Sequence, residues 1–255
     1  MNWSKIINIV EKGHYPFKRY PKKRCETVFF PGCALPSQFP KTMDRIAEAC
    51  QEKGVGVAYD CCGMPLFEYG MFVRAVKIIN GIKRRLGKCG CKRVAFACPN
   101  CMYYLKDKLD CEVVTLYQLL DELEAGREAV FEPGMLYVPC PDRKERIIEE
   151  SLRESYDLSR LETCTRGCCG LRPDIALKGS EVSAKCGKSV LKAAGGRRVF
   201  TYCASCAGQF KRLGQEGVRH VASVIVGVDE EPDAAHAFAN RAKRKFARRS
   251  SGSAG

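Results

Sequence analysis

The sequence predicts an α/β protein made of two similar halves, each built on a mainly parallel sheet. Short apolar runs alternate with segments of helical periodicity, which is typical of parallel α/β architecture. The order of the cysteines also repeats once along the chain. The length of 255 residues allows one large domain or two small ones with a sizeable core. We therefore expect two CCG-type halves, named for the Cys-Cys-Gly that each contains, related by a pseudo-two-fold axis.

The first half begins with an apolar run that reads as a buried strand and ends at Cys33. A helix should follow, because Met43, Ile46 and Cys50 fall on one face at helical spacing. The remaining pattern predicts a longer helix in MFVRAVKIINGIKRRLG and a strand leading into a Cys-x-x-Cys in RVAFACPNC. A further helix and a last strand close the half, in EVVTLYQLL.

The second half repeats this order. It predicts a strand, a helix, a longer helix, a strand before a Cys-x-x-Cys, and a further helix and last strand that close the half, in MLYVPC, DRKERIIEESLRE, DIALKGSEVSAKCGKSVLKAAG, RVFTYCASC and RHVASVIVG. The acidic stretch DELEAGREAVFEPG links the two halves, so the boundary should lie near Gly134.

The two ends of the chain differ from the repeat. Trp3, Ile6, Ile7 and Val10 form one face of a short helix, which packs on its own domain or clips onto a partner subunit. The C-terminal stretch reads as a frayed basic helix with a disordered end. The predicted organisation is an N-terminal helix and basic segment, a first cysteine-rich domain, a second one and a basic tail, at 1–26, 27–133, 134–232 and 233–255.

Cysteine usage narrows the class of protein. The chain has 17 cysteines, yet its N-terminus shows no signal-peptide pattern and no apolar run approaches a membrane span. We therefore expect a cytoplasmic protein in a reducing compartment, reaching a membrane only through a partner. In that setting, clustered cysteines bind metal or carry out redox chemistry more often than they form disulfides.

The formal charge of +14 is a second constraint. Metal-bound cysteines are thiolates, so clusters would cancel part of this excess and still leave the chain basic. The excess is either a solvated surface or a docking face for an acidic redox partner. Nucleic acid is not an expected partner, because the basic residues are scattered and no recognition motif is present.

The strongest signal is the repeat of five cysteines. A lone cysteine precedes a Cys-Cys-Gly by 28 positions in both halves, and a Cys-x-x-Cys follows the pair after 36 and 34 positions. Ten cysteines recurring in one order point to ten candidate metal ligands. They are Cys33, Cys61, Cys62, Cys98 and Cys101 in the first half, and Cys140, Cys168, Cys169, Cys203 and Cys206 in the second.

Five thiols in each half exceed the needs of a simple metal site. Several of them fall at strand-to-helix transitions, which gather on one edge of a parallel sheet. Tetrahedral zinc takes four ligands, and a cubane [4Fe–4S] cluster also takes four cysteines. The fifth thiol indicates either an unusual iron assembly or a free thiol beside a cluster. Adjacent cysteines make sense if they bind different irons or if one sulfur bridges irons.

This pattern resembles the CCG, or cysteine-rich, domain of the heterodisulfide reductase B subunit family, over roughly residues 27–228. The resemblance implies that each five-cysteine set can hold a noncubane [4Fe–4S] cluster. In that family such clusters are thought to bind and split a disulfide with electrons from a partner subunit. Related CCG proteins serve as iron–sulfur subunits of lactate or glycolate oxidation.

Two departures put the substrate in doubt more than cluster binding. The gap before the Cys-Cys pair is shorter than in the methanogen reductases, and the second half begins YVPCPDR without the histidine or glycine often found there. No ferredoxin-type cysteine run and no nucleotide fingerprint are present, so electrons should come from a donor subunit, a ferredoxin or a flavoprotein.

Three functions follow as hypotheses. The first is an oxidoreductase subunit that reduces a disulfide or thiol-linked substrate at one of two [4Fe–4S] clusters. The second is an electron-relay subunit of a lactate- or glycolate-type dehydrogenase. The third is a zinc-binding interaction module without redox activity. For the metal itself, zinc in one half is the lesser alternative to two iron–sulfur clusters.

Seven cysteines lie outside the repeat. Cys50 and Cys186 fall within helices and should be small core residues. Cys164 is either an extra thiol near the second pair or a bystander, and Cys25, Cys89, Cys91 and Cys111 have no assigned role, although Cys89 and Cys91 are close enough for a redox pair. The three histidines lie away from the cysteine motifs in sequence, and His220 should be structural.

Overall fold

Two four-stranded sheets, parallel throughout, form the framework of the protein. The computed structural model describes residue 11 and residues 13–246. When the strands are numbered from the start of each half, both sheets have the order 2-1-3-4. This confirms the predicted α/β class with two similar, mainly parallel halves. The apolar stripe of Trp3, Ile6, Ile7 and Val10 lies outside the described residues.

The first sheet has the order β2-β1-β3-β4. Its central strand β1 is buried because both faces are covered by helices, as expected of a parallel sheet. Val28 of β1 pairs with Val94 of β3 on one side and with Gly56 of β2 on the other. The strands are β1 (Thr27–Phe30), β2 (Gly56–Val57), β3 (Arg93–Phe96) and β4 (Glu112–Thr115).

Between residues 27 and 122, six helices pack around the first sheet. The amphipathic pattern that predicted the second of them is confirmed, because Met43, Ile46 and Cys50 are fully buried. The helices are α1 (Leu35–Gln38), α2 (Pro40–Glu52), α3 (Met64–Glu68), α4 (Phe72–Lys88), α5 (Pro99–Leu105) and α6 (Leu116–Glu122). In the described part of the chain, none of the helices combines the length and apolar composition needed to cross a membrane.

The second sheet has the order β6-β5-β7-β8. Its strands are β5 (Gly134–Tyr137), β6 (Leu161–Cys164), β7 (Val199–Thr201) and β8 (Val218–His220). A 3₁₀ turn at Cys140–Asp142 follows β5, and the helices are α7 (Ile147–Ser155), α8 (Pro173–Ala176), α9 (Ser180–Ala194), α10 (Ala204–Arg212) and α11 (Val221–Ile225).

The structure departs from the prediction in two places. The single helix expected over DIALKGSEVSAKCGKSVLKAAG is two helices, α8 and α9, because Gly179 between them has φ 114° and ψ 166°, far from helical values. The edge strands β2 and β6 were not predicted. β2 has only two residues, too few to show alternation, and β6 carries the polar and exposed pair Glu162 and Thr163.

Polar contacts join the two sheets into one framework. The buried carboxylate of Asp142 accepts a hydrogen bond of 2.5 Å from Tyr103 in the first half and one of 2.6 Å from Tyr202 in the second. The hydroxyl of Thr42 lies 2.8 Å from Ser223 and donates to Glu230 at 2.7 Å. The apolar core runs continuously through both halves.

The end of the chain returns to the first half. Helix α12 (Ala237–Phe246) packs along α1, and buried Asn240 donates a hydrogen bond of 3.1 Å to the Ser37 carbonyl. Arg244 forms an ion pair with Asp44 of α2. The stretch expected to fray is therefore a docked helix as far as residue 246, while the predicted boundaries at 26, 133 and 232 remain predictions.

Candidate functional site

The first cysteine set lies at the carboxyl edge of the first sheet. Cys33 follows β1, the adjacent Cys61 and Cys62 follow β2, and the Cys-x-x-Cys follows β3. Cys98 is the residue that precedes the first turn of α5, and Cys101 lies inside that helix. Because the carboxyl ends of parallel strands meet at one edge, the sheet brings together five thiols that are up to 68 positions apart in sequence.

Direct contacts order these thiols. The sulfur of Cys62 accepts hydrogen bonds from the thiols of Cys101 and Cys61, and Cys101 also contacts Cys98. Cys33 and Cys61 both pack against the aromatic pair Tyr15 and Phe17. In space, Cys33 and Cys61 therefore lie at one end of the set, followed by Cys62, Cys101 and Cys98.

These contacts select which sulfur in the first set ionises. Hydrogen bonds from Cys101 and then Cys61 lower the pKa of Cys62 to about 6, and the backbone N–H of Met64 adds to them. The same contact with Cys62 raises the pKa of Cys101. Cys62 is thus held as a thiolate at neutral pH although it is only 4% exposed.

The second cysteine set occupies the corresponding edge of the second sheet. Cys140 follows β5, the pair Cys168 and Cys169 follows β6, and Cys203 precedes α10, which contains Cys206. The sulfur contacts run through all five residues, in the order Cys140, Cys168, Cys169, Cys206, Cys203. From the adjacent pair to the Cys-x-x-Cys, the order of sulfur contacts is the same as in the first set, so the sequence repeat is also a spatial repeat at these four positions.

Thiolates are favoured at two positions of the second set. Hydrogen bonds from Cys140 and then Cys169 lower the pKa of Cys168 to about 2, and the Gly170 N–H donates to its sulfur at 3.3 Å. The pKa of Cys203 is lowered mainly by the thiol of Cys206, with help from backbone N–H groups at the start of α10. A helix N-terminus favours a thiolate in this way.

The glycine of each Cys-Cys-Gly lets the chain turn sharply after the pair. Gly63 and Gly170 have φ values of 82° and 94°, a region that side chains other than glycine rarely adopt. At Gly170 there is also no room, because an added Cβ would lie 2.1 Å from the Ser183 carbonyl oxygen. The tight turn keeps the two sulfurs of each pair at the sheet edge.

A cavity of about 310 Å³ borders the first set at Cys61. Its wall is strongly cationic, with the basic side chains Lys18, Arg74, Lys77, Arg84 and Arg85. His14 also lines this cavity, so the fold brings it near the first cysteine set although it is distant in sequence. Sequence reasoning did not find this proximity, since His14 is 47 positions from Cys61.

Buried Asp60 fixes the backbone just before the first pair. Its carboxylate accepts hydrogen bonds from the Cys61 N–H at 2.8 Å, from Arg85 at 2.8 Å and from the Tyr20 hydroxyl at 2.9 Å. Burial raises the pKa of Asp60, and Arg85 opposes that shift. Sequence reasoning missed this residue, because its partners Tyr20 and Arg85 lie 40 and 25 positions away in the chain.

The second set has different neighbours. The Tyr137 hydroxyl lies 3.9 Å from the Cys140 sulfur and accepts a hydrogen bond of 3.0 Å from Arg143. Positive charge at Arg143 favours the thiolate of Cys140, against the stronger effect of the Cys168 contact. Arg143 lies three residues after Cys140, at the end of the segment YVPCPDR.

The donor chemistry of both sets suits a sulfur-ligated metal centre. Each brings five thiols to one sheet edge, and backbone N–H groups and neighbouring thiols favour thiolates at Cys62, Cys168 and Cys203. Thiolates are the ligands that iron–sulfur clusters and other soft metal sites use. Among the described residues, no group of three or more His, Cys, Asp or Glu side chains is arranged to hold a metal ion.

The structure also places the remaining cysteines and His220. Cys50 is fully buried, and burial raises its pKa to about 12, which confirms a core role. Cys186 is only half-buried, so the core role expected for it is wrong. The Cys164 thiol contacts the Arg166 carbonyl at 3.8 Å. His220 is structural as predicted, since its ring accepts the Ala222 N–H at the start of α11.

Comparison with known proteins supports the cysteine-rich assignment in the first half. Residues 27–106 match the family described as "CCG: Cysteine-rich domain", which is less than half of the chain. A CCG domain is compatible with metal or iron–sulfur binding, in keeping with the donor set found here. No curated protein matches the chain in sequence.

Two solved structures show weak similarity. An aspartate racemase from Picrophilus torridus is 10% identical with a TM-score of 0.40, and the match covers 79% of this chain and 100% of the racemase. An aspartate racemase homologue from Pyrococcus horikoshii OT3 is 15% identical with a TM-score of 0.36, over 80% of this chain and 96% of that one. At such scores neither protein bears on fold or function.

Proposed function

We propose that this chain is an iron–sulfur redox subunit resembling the heterodisulfide reductase B subunit. Each five-cysteine set holds one [4Fe–4S] cluster, of the noncubane type that five sulfurs favour. The clusters supply the electrons that reduce a disulfide or thiol-linked substrate, and a partner chain replenishes them. The chain works in the cytoplasm.

The observation that carries this proposal is the matched order of sulfur contacts in the two sets. In each set, the sulfurs of the adjacent pair and of the Cys-x-x-Cys contact one another in a row of four. The fifth cysteine contacts the adjacent pair directly in the second set, and in the first set it packs against the same aromatic side chains as Cys61. A zinc ion uses four thiolates at most, which would leave one thiol in each set without a role. A cluster of several irons offers separate ligand positions to adjacent cysteines.

The protein's own residues have distinct tasks in this proposal. The lowered pKa values of Cys62, Cys168 and Cys203 favour the thiolate form, which is the form that binds iron. Asp60 holds the backbone N–H of Cys61 and so orients the first pair. Tyr137 and Arg143 place a hydroxyl and a cation beside Cys140, where they can orient an anionic group of the substrate.

The cationic cavity beside Cys61 is the approach that we propose for an acidic electron donor. In the described part of the chain, Arg74, Lys77 and Arg84 form no ion pair with a carboxylate, so their charge is available to a partner. Complementary charge raises the encounter rate of two proteins and loses effect as salt increases. A ferredoxin or an acidic flavoprotein subunit has the required chemistry.

An electron-relay role is the second candidate. Its support is the burial of three cysteines in each set, which leaves limited room for a substrate at the sulfurs. Disulfide reduction and relay differ in one requirement, since only the first needs an iron that a substrate can reach. A pure relay would therefore transfer electrons without binding a thiol compound.

The decisive experiment is metal and sulfide analysis of protein purified without oxygen, combined with EPR. We expect about eight irons and about eight acid-labile sulfides per chain. Addition of a small thiol to the oxidised protein should then change the EPR spectrum if an iron is open to substrate.

Each result has a distinct meaning. About two zinc ions without iron would overturn the proposal in favour of the zinc module. Eight irons with a spectrum that no thiol or disulfide perturbs would favour the relay.

A further inference from the structure

Four of the unassigned cysteines gather at the opposite edge of the first sheet. Cys25 precedes β1, Cys89 and Cys91 precede β3, and Cys111 immediately precedes β4. The amino ends of parallel strands meet at one edge, so these thiols lie roughly 13 Å or more, the length of a four-residue strand, from the carboxyl edge. They are therefore separate from the first cysteine set. The second half has no cysteine at the amino ends of its strands.

Within this group, one pair of thiols is in direct contact. Cys91 and Cys111 share a thiol–thiol hydrogen bond, and the Cys91 sulfur also lies 3.2 Å from the Arg93 carbonyl oxygen. The other two thiols have other neighbours, since Cys89 donates to the Pro21 carbonyl at 3.3 Å and the Cys25 sulfur lies beside Gly56. The spacing of Cys89 and Cys91 allowed either a redox pair or a solvated loop, whereas the structure brings Cys91 against Cys111.

Strand register brings the backbones of the two residues close together. Arg93 and Glu112 are direct partners in the parallel pair of β3 and β4, and the Glu112 N–H bonds the Lys92 carbonyl at 2.9 Å. Cys91 is therefore one residue out of register with Cys111. Within regular strands this offset would turn the two side chains to opposite faces, but both cysteines precede their strands, where the thiols meet. Adjacent strands at this offset place two Cα atoms roughly 6 Å apart, within the range that a disulfide spans.

We propose that Cys91 and Cys111 form a dithiol site that exchanges electrons with low-molecular-weight disulfides, independently of the two cysteine sets. The Cys111 thiolate attacks one sulfur of a disulfide RSSR, which breaks the S–S bond and releases RS⁻, protonated to RSH. Cys91 then loses its proton and attacks the mixed disulfide at Cys111, which releases the second RSH. The two protein thiols are oxidised to one disulfide, and RSSR is reduced by the same two electrons.

The surroundings favour Cys111 as the attacking residue and leave the pair accessible. The hydrogen bond donated by Cys91 lowers the pKa of Cys111 and raises that of Cys91. Both residues are partly exposed, so a small disulfide can reach them without local unfolding. An accessible thiolate with a resolving thiol in contact is the arrangement on which thiol–disulfide exchange depends.

The test uses the full chain, purified without oxygen and with its metal content measured. The protein is treated with glutathione disulfide, quenched with an alkylating agent and mapped by mass spectrometry. We expect a disulfide between Cys91 and Cys111, release of two glutathione molecules per chain, and reaction at Cys111 at least about tenfold faster than at half-buried Cys186. Because the readout is specific to these peptides, it is separate from iron binding by the other ten cysteines.

Three variants separate this pair from its neighbours. Cys91→Ser should stop at a mixed disulfide on Cys111 with one glutathione released, and Cys111→Ser should lose the fast reaction. Cys89→Ser is the matched control and should still form the disulfide at the wild-type rate. Three results in the wild-type protein would each overturn the proposal. They are a disulfide between Cys89 and Cys91, equal labelling of Cys111 and Cys186, and release of a zinc ion when these thiols are oxidised.

Discussion

The two cysteine sets share one order of sulfur contacts but differ in what covers them. In the first set Cys61 is 1% exposed beneath Tyr15 and Phe17, whereas its counterpart Cys168 is half-buried in a loop bordered by exposed Leu171 and Arg172. The repeat therefore preserves the positions of the candidate ligands and varies their access. We infer that access to the sulfurs, rather than the number of cysteines, distinguishes the two sets.

The largest expected effect comes from removing one sulfur of each adjacent pair. Cys62→Ser and Cys169→Ser should each lose one cluster's EPR signal and about four irons per chain, because oxygen is a harder ligand that suits iron–sulfur centres poorly. Cys50→Ser, in the core of α2, is the control and should keep both clusters. Unchanged spectra in both variants would show that the adjacent thiols are not ligands.

The second effect concerns the turns after the pairs. Gly170→Ala should lower the free energy of unfolding by about 3 kcal/mol or more, because a positive φ and contact with the Ser183 backbone both oppose a side chain. Gly63→Ala should cost about 1–2 kcal/mol, since its added Cβ would meet the flexible side chain of Ile78 at 3.1 Å. Denaturant titration of the metal-free variants measures both values, and equal losses would contradict the difference in packing.

The third effect tests access directly. In metal-free protein, an alkylating agent should modify Cys168 about tenfold faster than Cys61, because Cys168 is both more exposed and a thiolate. The pKa of Cys168 is about 2, so protonation does not slow it and its rate should stay constant from about pH 5 to about pH 8.

Cys62 provides the contrast in pH dependence. Its pKa is about 6, so any labelling of Cys62 should fall as the pH drops below that value and the sulfur becomes protonated. Peptide mapping of a pH series resolves both sites. Faster labelling of Cys61 than Cys168 would mean that the cover over the first set opens in solution.

The smallest effect concerns the cationic cavity. Lys77→Gln with Arg84→Gln should slow cluster reduction by an acidic ferredoxin about twofold to fivefold at low salt, and less at high salt. Reduced methyl viologen is itself cationic, so its rate should not fall. Lys185→Gln with Lys188→Gln on α9 is the matched control, and an equal loss there would show a general charge effect. Stopped-flow absorbance follows the reduction.

Sequence alone predicted most of the helices and strands, but not the aromatic residues that cover Cys61. The helix that contains Met43 and the strand that contains Val94 were predictable, because helical spacing and apolar runs are local signals. The cysteine spacing predicted two sets, and the parallel sheets explain why each converges. Asp60, Tyr15 and the pair formed by Cys91 and Cys111 were not predictable, because these contacts join segments that only the folded chain brings together.

Docking of α12 on the first half has a consequence for biosynthesis. Phe238 packs edge-on against Phe17, with 5.1 Å between the ring centroids. Ala242 packs against the cluster formed by Tyr15, Phe17 and Cys61. These residues are the last part of the described chain to leave the ribosome, so the cover over the first set is completed only after the second half has been made. While the second half is still emerging, Tyr15 and Phe17 therefore cover Cys61 without the contacts that α12 adds later.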